Sequence, residues 1–200
     1  MSPKTKEQFA AIRSRSEERI MDAALELFAT KGFTSTSISS IASKANISKG
    51  LIYNYFESKN DLLRRIVIRA QDIGKDLFNE VIEDYESPYD ELKYLVLNVI
   101  EHFKTHTEYW RLLTALSFQQ EVMTEISDII EQNSQWSIEK GAEIFQEMGA
   151  EDPMKEALFF GATLDGMMMH YLHLKDHYPI DMMADKLIQS IHHIPDLKES

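Results

Sequence analysis

Apolar positions recur at helical spacing along almost the whole chain, and no stretch alternates as a strand would. Ser14 to Glu17 has capping-box spacing, and Ile20, Ala23, Ala24, Leu27 and Phe28 mark one face of a helix. Gly32 predicts the end of that helix, with Phe33 placed to pack back on it. Ile38, Ile41, Ala42 and Ala45 fall at i, i+3, i+4, i+7 and predict a short second helix, capped by Thr36 or Ser37. Asn46 suits a left-handed turn residue, and Ser48 offers the next N-cap. Leu51, Ile52 and Tyr55 then give a third helix its inward face. Ser58 predicts the start of a longer helix through Leu62, Leu63, Ile66, Ile73, Leu77 and Val81, ending near Ser87-Pro88.

Beyond Pro88 the positions Leu92, Leu95, Val96, Val99, Ile100 and Phe103 predict another amphipathic helix. Tyr109 to Phe118 is apolar on nearly every side, which predicts a short buried helix. Val122 to Met148 reads as a long helix broken by Gly149 and Asp152-Pro153. Met154 to Leu174 is the most apolar stretch, and Tyr178-Pro179 separates it from a last helix, Asp181 to Ile191. The expectation is an all-α chain of about nine helices.

Two short helices joined by a tight turn, supported by a preceding helix, make a helix-turn-helix. The outward face of its second helix carries Lys49, Gly50, Tyr53 and Asn54. Lysine neutralises phosphate, tyrosine and asparagine hydrogen-bond phosphates or base edges, and glycine lets the backbone approach a duplex. Ser48 and Lys49 sit where a helix N-terminus favours a phosphate.

Charge changes the picture in the same direction. The 200 residues carry a formal net charge of −12, from 21 Lys+Arg against 33 Asp+Glu. Residues 1–70 hold 12 Lys+Arg against 7 Asp+Glu, whereas residues 71–200 hold 9 against 26. A basic surface is therefore confined to the N-terminal third, and the acidic remainder should face away from phosphate. Cysteine is absent, which excludes disulfides and thiolate chemistry. The first residues lack the apolar core of a signal peptide, and no run approaches the length of a membrane span, so the cytoplasm is the expected location.

The segment GFTSTSISSIASKANISKGLIYNYFESKNDLL resembles the signature of the TetR family of transcriptional regulators. Gly32-Phe33, Thr36-Ser37, Ile41-Ala42, Ser48, Gly50, Ile52-Tyr53, Tyr55-Phe56, Ser58-Lys59 and Leu62 carry the resemblance; Asn46 stands where the family's turn glycine is usual. The resemblance implies DNA contacts from Thr36, Ser37, Ser48, Lys49, Gly50, Tyr53, Asn54, Tyr55 and Lys59. Tyr53 and Lys59 would hold phosphates, and Lys49, Gly50 and Asn54 would neighbour base edges. It also implies a DNA-binding domain over residues 1–58 and an effector-binding and dimerisation domain over residues 59–200.

For a homodimer, Met154 to Leu174 supplies an apolar face, with Phe160, Leu164, Met167, Met168 and Tyr171 outward or inward at helical spacing; the other reading buries this helix in its own monomer. The small-residue pairs Ala157/Gly161 and Ala162/Gly166 would allow close helix approach, and Met182, Met183, Leu187, Ile188 and Ile191 would complete a four-helix interface. For an effector, the candidate lining is Phe103, Trp110, Leu113, Phe118, Trp136, Met167, His170 and Tyr171, with Gln119, Asn133 or His170 as polar handles. Such a wall suits a flexible hydrophobic or cationic ligand.

His170, His173 and His177 share a helix face, as do His102 and His106, yet no third or fourth ligand is placed beside them. No metal or cofactor is expected. Neither a phosphate-binding loop, a dinucleotide fingerprint, a His-Glu-x-x-His nor a Gly-x-Ser-x-Gly elbow occurs, so no catalytic residue is assigned. The reading is a ligand-responsive repressor, released from a palindromic operator when a small molecule binds. Its rival is a DNA-binding adaptor or architectural protein without a small-molecule effector.

Overall fold

Serine, asparagine and glycine set where the helices begin and end. The computed structural model describes residues 6–79 and 87–191, and among them every regular element is helical. In chain order these are α1 (Lys6–Lys31), α2 (Ile38–Lys44), α3 (Lys49–Ile52), α4 (Lys59–Asn79), α5 (Pro88–Thr105), α6 (Thr107–Leu116), α7 (Gln120–Glu147), α8 (Pro153–Leu174) and α9 (Ile180–Ile191). A 3-10 turn, Lys175–His177, lies between α8 and α9. No described helix is long and apolar enough to cross a membrane.

Gly32 ends α1 at φ 88°, a left-handed conformation that L side chains rarely adopt. Phe33 folds back so that its ring meets Phe28 edge-on at 4.9 Å. Ser37 and Ser40 form a capping box at the start of α2. Asn46 makes the turn at φ 54°, and the Leu51 amide donates to Ser48 Oγ at 3.3 Å to start α3. Ser58 accepts from the Asp61 amide at 3.0 Å, Ser87 precedes Pro88 as the α5 cap, and Asp152 precedes Pro153 as the α8 cap.

Three expectations need correction. Ser14 starts no helix: α1 already begins at Lys6, and Ser14 Oγ donates to Glu18 Oε1 one turn on. The helix predicted for Tyr109 to Phe118 is half-exposed, with only Leu112 and Leu116 buried and Phe118 72% exposed beyond its end. The third helix is a single turn, so Phe56 takes the core place expected of Tyr55, which is half-buried. Val81, expected on the fourth helix, lies outside the described residues.

The chain forms two compact units, Met1–Ala70 with Arg111–Ile129, and Gln71–Trp110 with Ile130–Ser200. This differs from a division between residues 58 and 59. The first turns of α4 bury Leu62, Leu63 and Ile66 inside the first unit, and the α6–α7 junction returns to that unit as well. Ile20, Phe28, Ile41, Ile52 and Phe56 complete its buried interior. The second unit packs α5, α8 and α9 around Leu92, Val96, Ile100, Phe145, Phe160, Met167, Leu187 and Ile188.

Candidate nucleic-acid interface

Of the nine residues expected on DNA, six present themselves to solvent: Ser37, Ser48, Lys49, Gly50, Tyr53 and Asn54. They come from the starts of α2 and α3 and from the turn after α3, all within the first unit. Tyr53 is the most conspicuous, an aromatic ring 52% exposed with its core neighbour Ile52 fully buried. A Cβ built on Gly50 would meet no protein atom within 4 Å. No described neighbour therefore demands glycine there.

The other three are committed within the protein. Thr36 is 3% exposed, and its hydroxyl donates to the carbonyls of Gly32 (2.8 Å) and Leu27 (3.2 Å). It splices α1 to α2 instead of reaching outward. Lys59 Nζ donates to the carbonyls of Phe33 (2.9 Å), Thr36 (3.0 Å) and Thr34 (3.4 Å), and sits 4.5 Å from the Phe33 ring centroid. Its three protons are thus directed at the α1–α2 loop. Tyr55 is half-buried under Arg13, whose guanidinium lies 5.2 Å from the ring centroid. Arg13 also donates to the Asn54 carbonyl at 3.3 Å, holding the end of the recognition segment. Sequence reasoning passed over Arg13, because no periodicity links positions 41 apart.

A second missed feature is the fastening of the α6–α7 junction inside the first unit. Gln119 Nε2 donates to the Phe28 carbonyl at 2.9 Å, while the Phe33 amide donates to Gln119 Oε1 at 2.8 Å. Arg64 binds Asp128 through two parallel bonds of 2.8 and 2.7 Å and the Glu125 carbonyl at 2.9 Å. This pairing holds the Asp128 carboxyl at about 2, chiefly through the hydrogen bond from Arg64. Gln119, expected as a polar handle for an effector, is therefore spent on backbone groups.

The expected effector residues fall in both units. Leu113 and Phe118 belong to the first, and Phe118 faces solvent, so it lines no interior. Phe103, Trp110, Trp136, Met167, His170 and Tyr171 belong to the second. There Phe103 and Trp110 stack in parallel, centroids 4.5 Å apart at 6°, with the His102 and Tyr109 rings edge-on to the indole. The Trp110 indole N–H and Asn133 Oδ1 are both shielded from solvent and carry no hydrogen bond among the described residues. Trp136 meets Phe78 edge-on at 5.4 Å, Met167 is buried in the second unit's core, and His170 is exposed against Tyr178.

The face of α8 also needs revision. Phe160, Met167 and Met168 point into the second unit's own core, and Ala157 packs where a Cβ on Gly141 would lie 3.2 Å away. Leu158 and Phe159 occupy the opposite face, exposed, with Met182 exposed on α9. α8 is apolar all round, so periodicity alone could not select the outward side. Among the described residues no three His, Asp or Glu side chains are grouped to hold a metal. His102 and His106 stack on one another at 4.3 Å.

Residues 20–66 match the family model for bacterial regulatory proteins of the tetR family. The regulator YerO of Bacillus subtilis is 33% identical over 102 residues, covering 50% of this chain and 35% of YerO. AcrR of Shigella flexneri is 31% identical over 123 residues, covering 59% of this chain and 53% of AcrR. The chain thus spans from about a third to about half the length of these curated relatives. The fold matches that of NalD, the secondary repressor of the MexAB-OprM multidrug efflux pump in Pseudomonas aeruginosa, with a TM-score of 0.73 at 22% identity over 91% of this chain and 96% of NalD.

Proposed function

We propose that the chain, whose residues 20–66 match the tetR family model, is a TetR-family homodimeric transcriptional repressor released from a palindromic operator by a small molecule. The observation that carries the DNA-binding part is the solvent-facing set Ser37, Ser48, Lys49, Gly50, Tyr53 and Asn54 on a rigidly capped helix-turn-helix. Lys49, Gly50 and Asn54 would approach base edges, and Tyr53 would hold a phosphate. A single head covers one half-site, and exposed Leu158, Phe159 and Met182 supply apolar surface for pairing two chains.

The effector part is supported by the second unit. A buried indole donor at Trp110 and a buried amide acceptor at Asn133 lack partners among the described residues, and bound ligand groups would satisfy such atoms. Binding would shift the population between two separations of the heads by its differential affinity for them. The helix α4, continuous from Lys59 to Asn79, is the natural lever. The protein would act in the cytoplasm and without catalysis.

Selection of bound duplexes from a random library at two salt concentrations tests the proposal. Enrichment of a palindrome with half-sites about 34–36 Å apart supports a symmetric regulator. Weak, salt-sensitive, sequence-blind binding would overturn it.

A further inference from the structure

The loop between α1 and α2 is held from outside the helix-turn-helix. Its entry carbonyl, Phe28, and its first buried amide, Phe33, both bind Gln119, which lies 91 and 86 residues later in the chain. One primary amide acts as donor and acceptor at once, and so fixes the direction in which the chain leaves α1. The same loop then sets the Ser37 cap and the start of α2. Phe33 is buried, so without Gln119 its amide would lose the partner it has among the described residues.

Gln119 is also tied to the second unit by the covalent chain. It stands between α6 (Thr107–Leu116) and α7 (Gln120–Glu147). Trp110 lies on the first of these helices and Asn133 on the second, each with a buried polar atom unpartnered among the described residues. Beyond Gln119, the first turns of α7 are fastened again, by Asn60 on Glu125 and Arg64 on Asp128. Gln119 is thus the residue of the α6–α7 junction that hydrogen-bonds the backbone at the end of α1 and in the α1–α2 loop.

We infer that Gln119 is a positioning residue for operator recognition, and that it passes the state of α6 and α7 to the α1–α2 loop. This rests on the reading of the protein as an operator-binding regulator. It adds to the α4 lever a second, sequence-remote route that acts on the helix-turn-helix through two backbone groups.

Gln119→Met keeps the length of the side chain and removes both hydrogen bonds. The test compares the full-length wild type, Gln119→Met and Gln119→Glu on the selected duplex, with a scrambled duplex beside it. Gln119→Met is expected to weaken selected-duplex binding by about tenfold or more, within the usual span of coupling free energies, with scrambled-duplex affinity and salt slope unchanged. Gln119→Glu keeps the acceptor for Phe33 but sets an anion against the Phe28 carbonyl. It should be weak at neutral pH and regain affinity relative to wild type as its carboxyl is protonated. Hydrogen exchange supplies the second readout. In the wild type the duplex should protect amides in residues 111–129 as well as those in the helix-turn-helix, and in Gln119→Met only the latter. Equal duplex affinities for wild type and Gln119→Met, or protection confined to residues 20–66 in the wild type, would overturn the inference while leaving DNA binding intact. A wild type that selects no duplex would instead sink the reading on which it rests.

Discussion

The Lys59 ammonium stands over the ring of Phe33 at 4.5 Å and donates to that residue's own carbonyl at 2.9 Å, so one side chain grips Phe33 by its face and its backbone. Two further carbonyls, of Thr34 and Thr36, take its remaining protons. In this arrangement all three ammonium protons are directed at carbonyls of the α1–α2 loop. Lys59→Met should cost about 1–3 kcal/mol of stability, since it takes the lysine donor from the partly buried Thr36 carbonyl and leaves the Phe33 carbonyl with the Thr36 amide alone. Selected-duplex affinity should fall with it, through a loosened loop. The slope of log K against log salt discriminates the roles: it should stay at the wild-type value, whereas loss of a phosphate contact would reduce its magnitude by about 0.9.

Gly50 gives the opposite pattern. The free protein leaves room for a Cβ there, and alanine is favoured over glycine in a helix by about 0.5–1 kcal/mol. Gly50→Ala should therefore melt at or slightly above the wild-type temperature. A methyl group forced between α3 and a duplex should weaken operator binding by about 10-fold to 100-fold, the cost of an overpacked contact. Thermal melts and duplex titrations on the same preparation check both halves, and undiminished binding would mean that α3 does not approach the bases at this residue.

What could be read from the sequence was local. Ser37, Asn46 and Ser48 each act on a backbone group within a few residues, and all three were legible as caps or turn residues. The end of α1 at Gly32 and the return of Phe33 were legible for the same reason. What sequence alone did not reveal depends on distant partners. Thr36 and Lys59 match a DNA-contact pattern, but the carbonyls they satisfy become neighbours only when α1, α2 and α4 pack. Gln119 looked like a pocket residue because nothing near it in sequence reveals Phe28 and Phe33 as its partners. On α8, contacts with α5, α7 and α9 turn Phe160 and Met167 inward and leave Phe159 out, a choice made by tertiary packing.

Asp128 makes the first unit sensitive to acid. Its carboxyl is held at about 2, against an ordinary value of 3.8, chiefly by the hydrogen bond from Arg64. With the folded value below the unfolded one, the unfolded chain binds more protons between them, so stability rises with pH across that interval. The contribution is complete above about 3.8 and is lost as pH falls towards about 2. Asp128→Asn should flatten this part of the acid limb in a series of thermal melts, with the pair's surface exposure keeping the effect modest. Parallel wild-type and variant curves below pH 3.8 would show that the pair does not persist in solution.

Phe159 tests the pairing of chains. Its ring is 64% exposed on the face of α8 turned away from the core, next to exposed Leu158. Specific protein interfaces cover about 800 Å² on each partner, with large apolar side chains at their centre. A glutamate at the centre of such a contact would be buried without a partner, at a cost of several kcal/mol across two symmetric copies. Phe159→Glu should thus sediment as a monomer at concentrations where the wild type is a dimer, and lose its advantage for palindromes over single half-sites. Phe118→Glu is the matched control, because Phe118 is even more exposed, at 72%, but lies in the first unit away from α8 in the chain. It should leave the sedimentation coefficient unchanged. If Phe159→Glu remained dimeric while Phe118→Glu dissociated, pairing would have to run through the α6–α7 junction, and the outward face of α8 would need another partner.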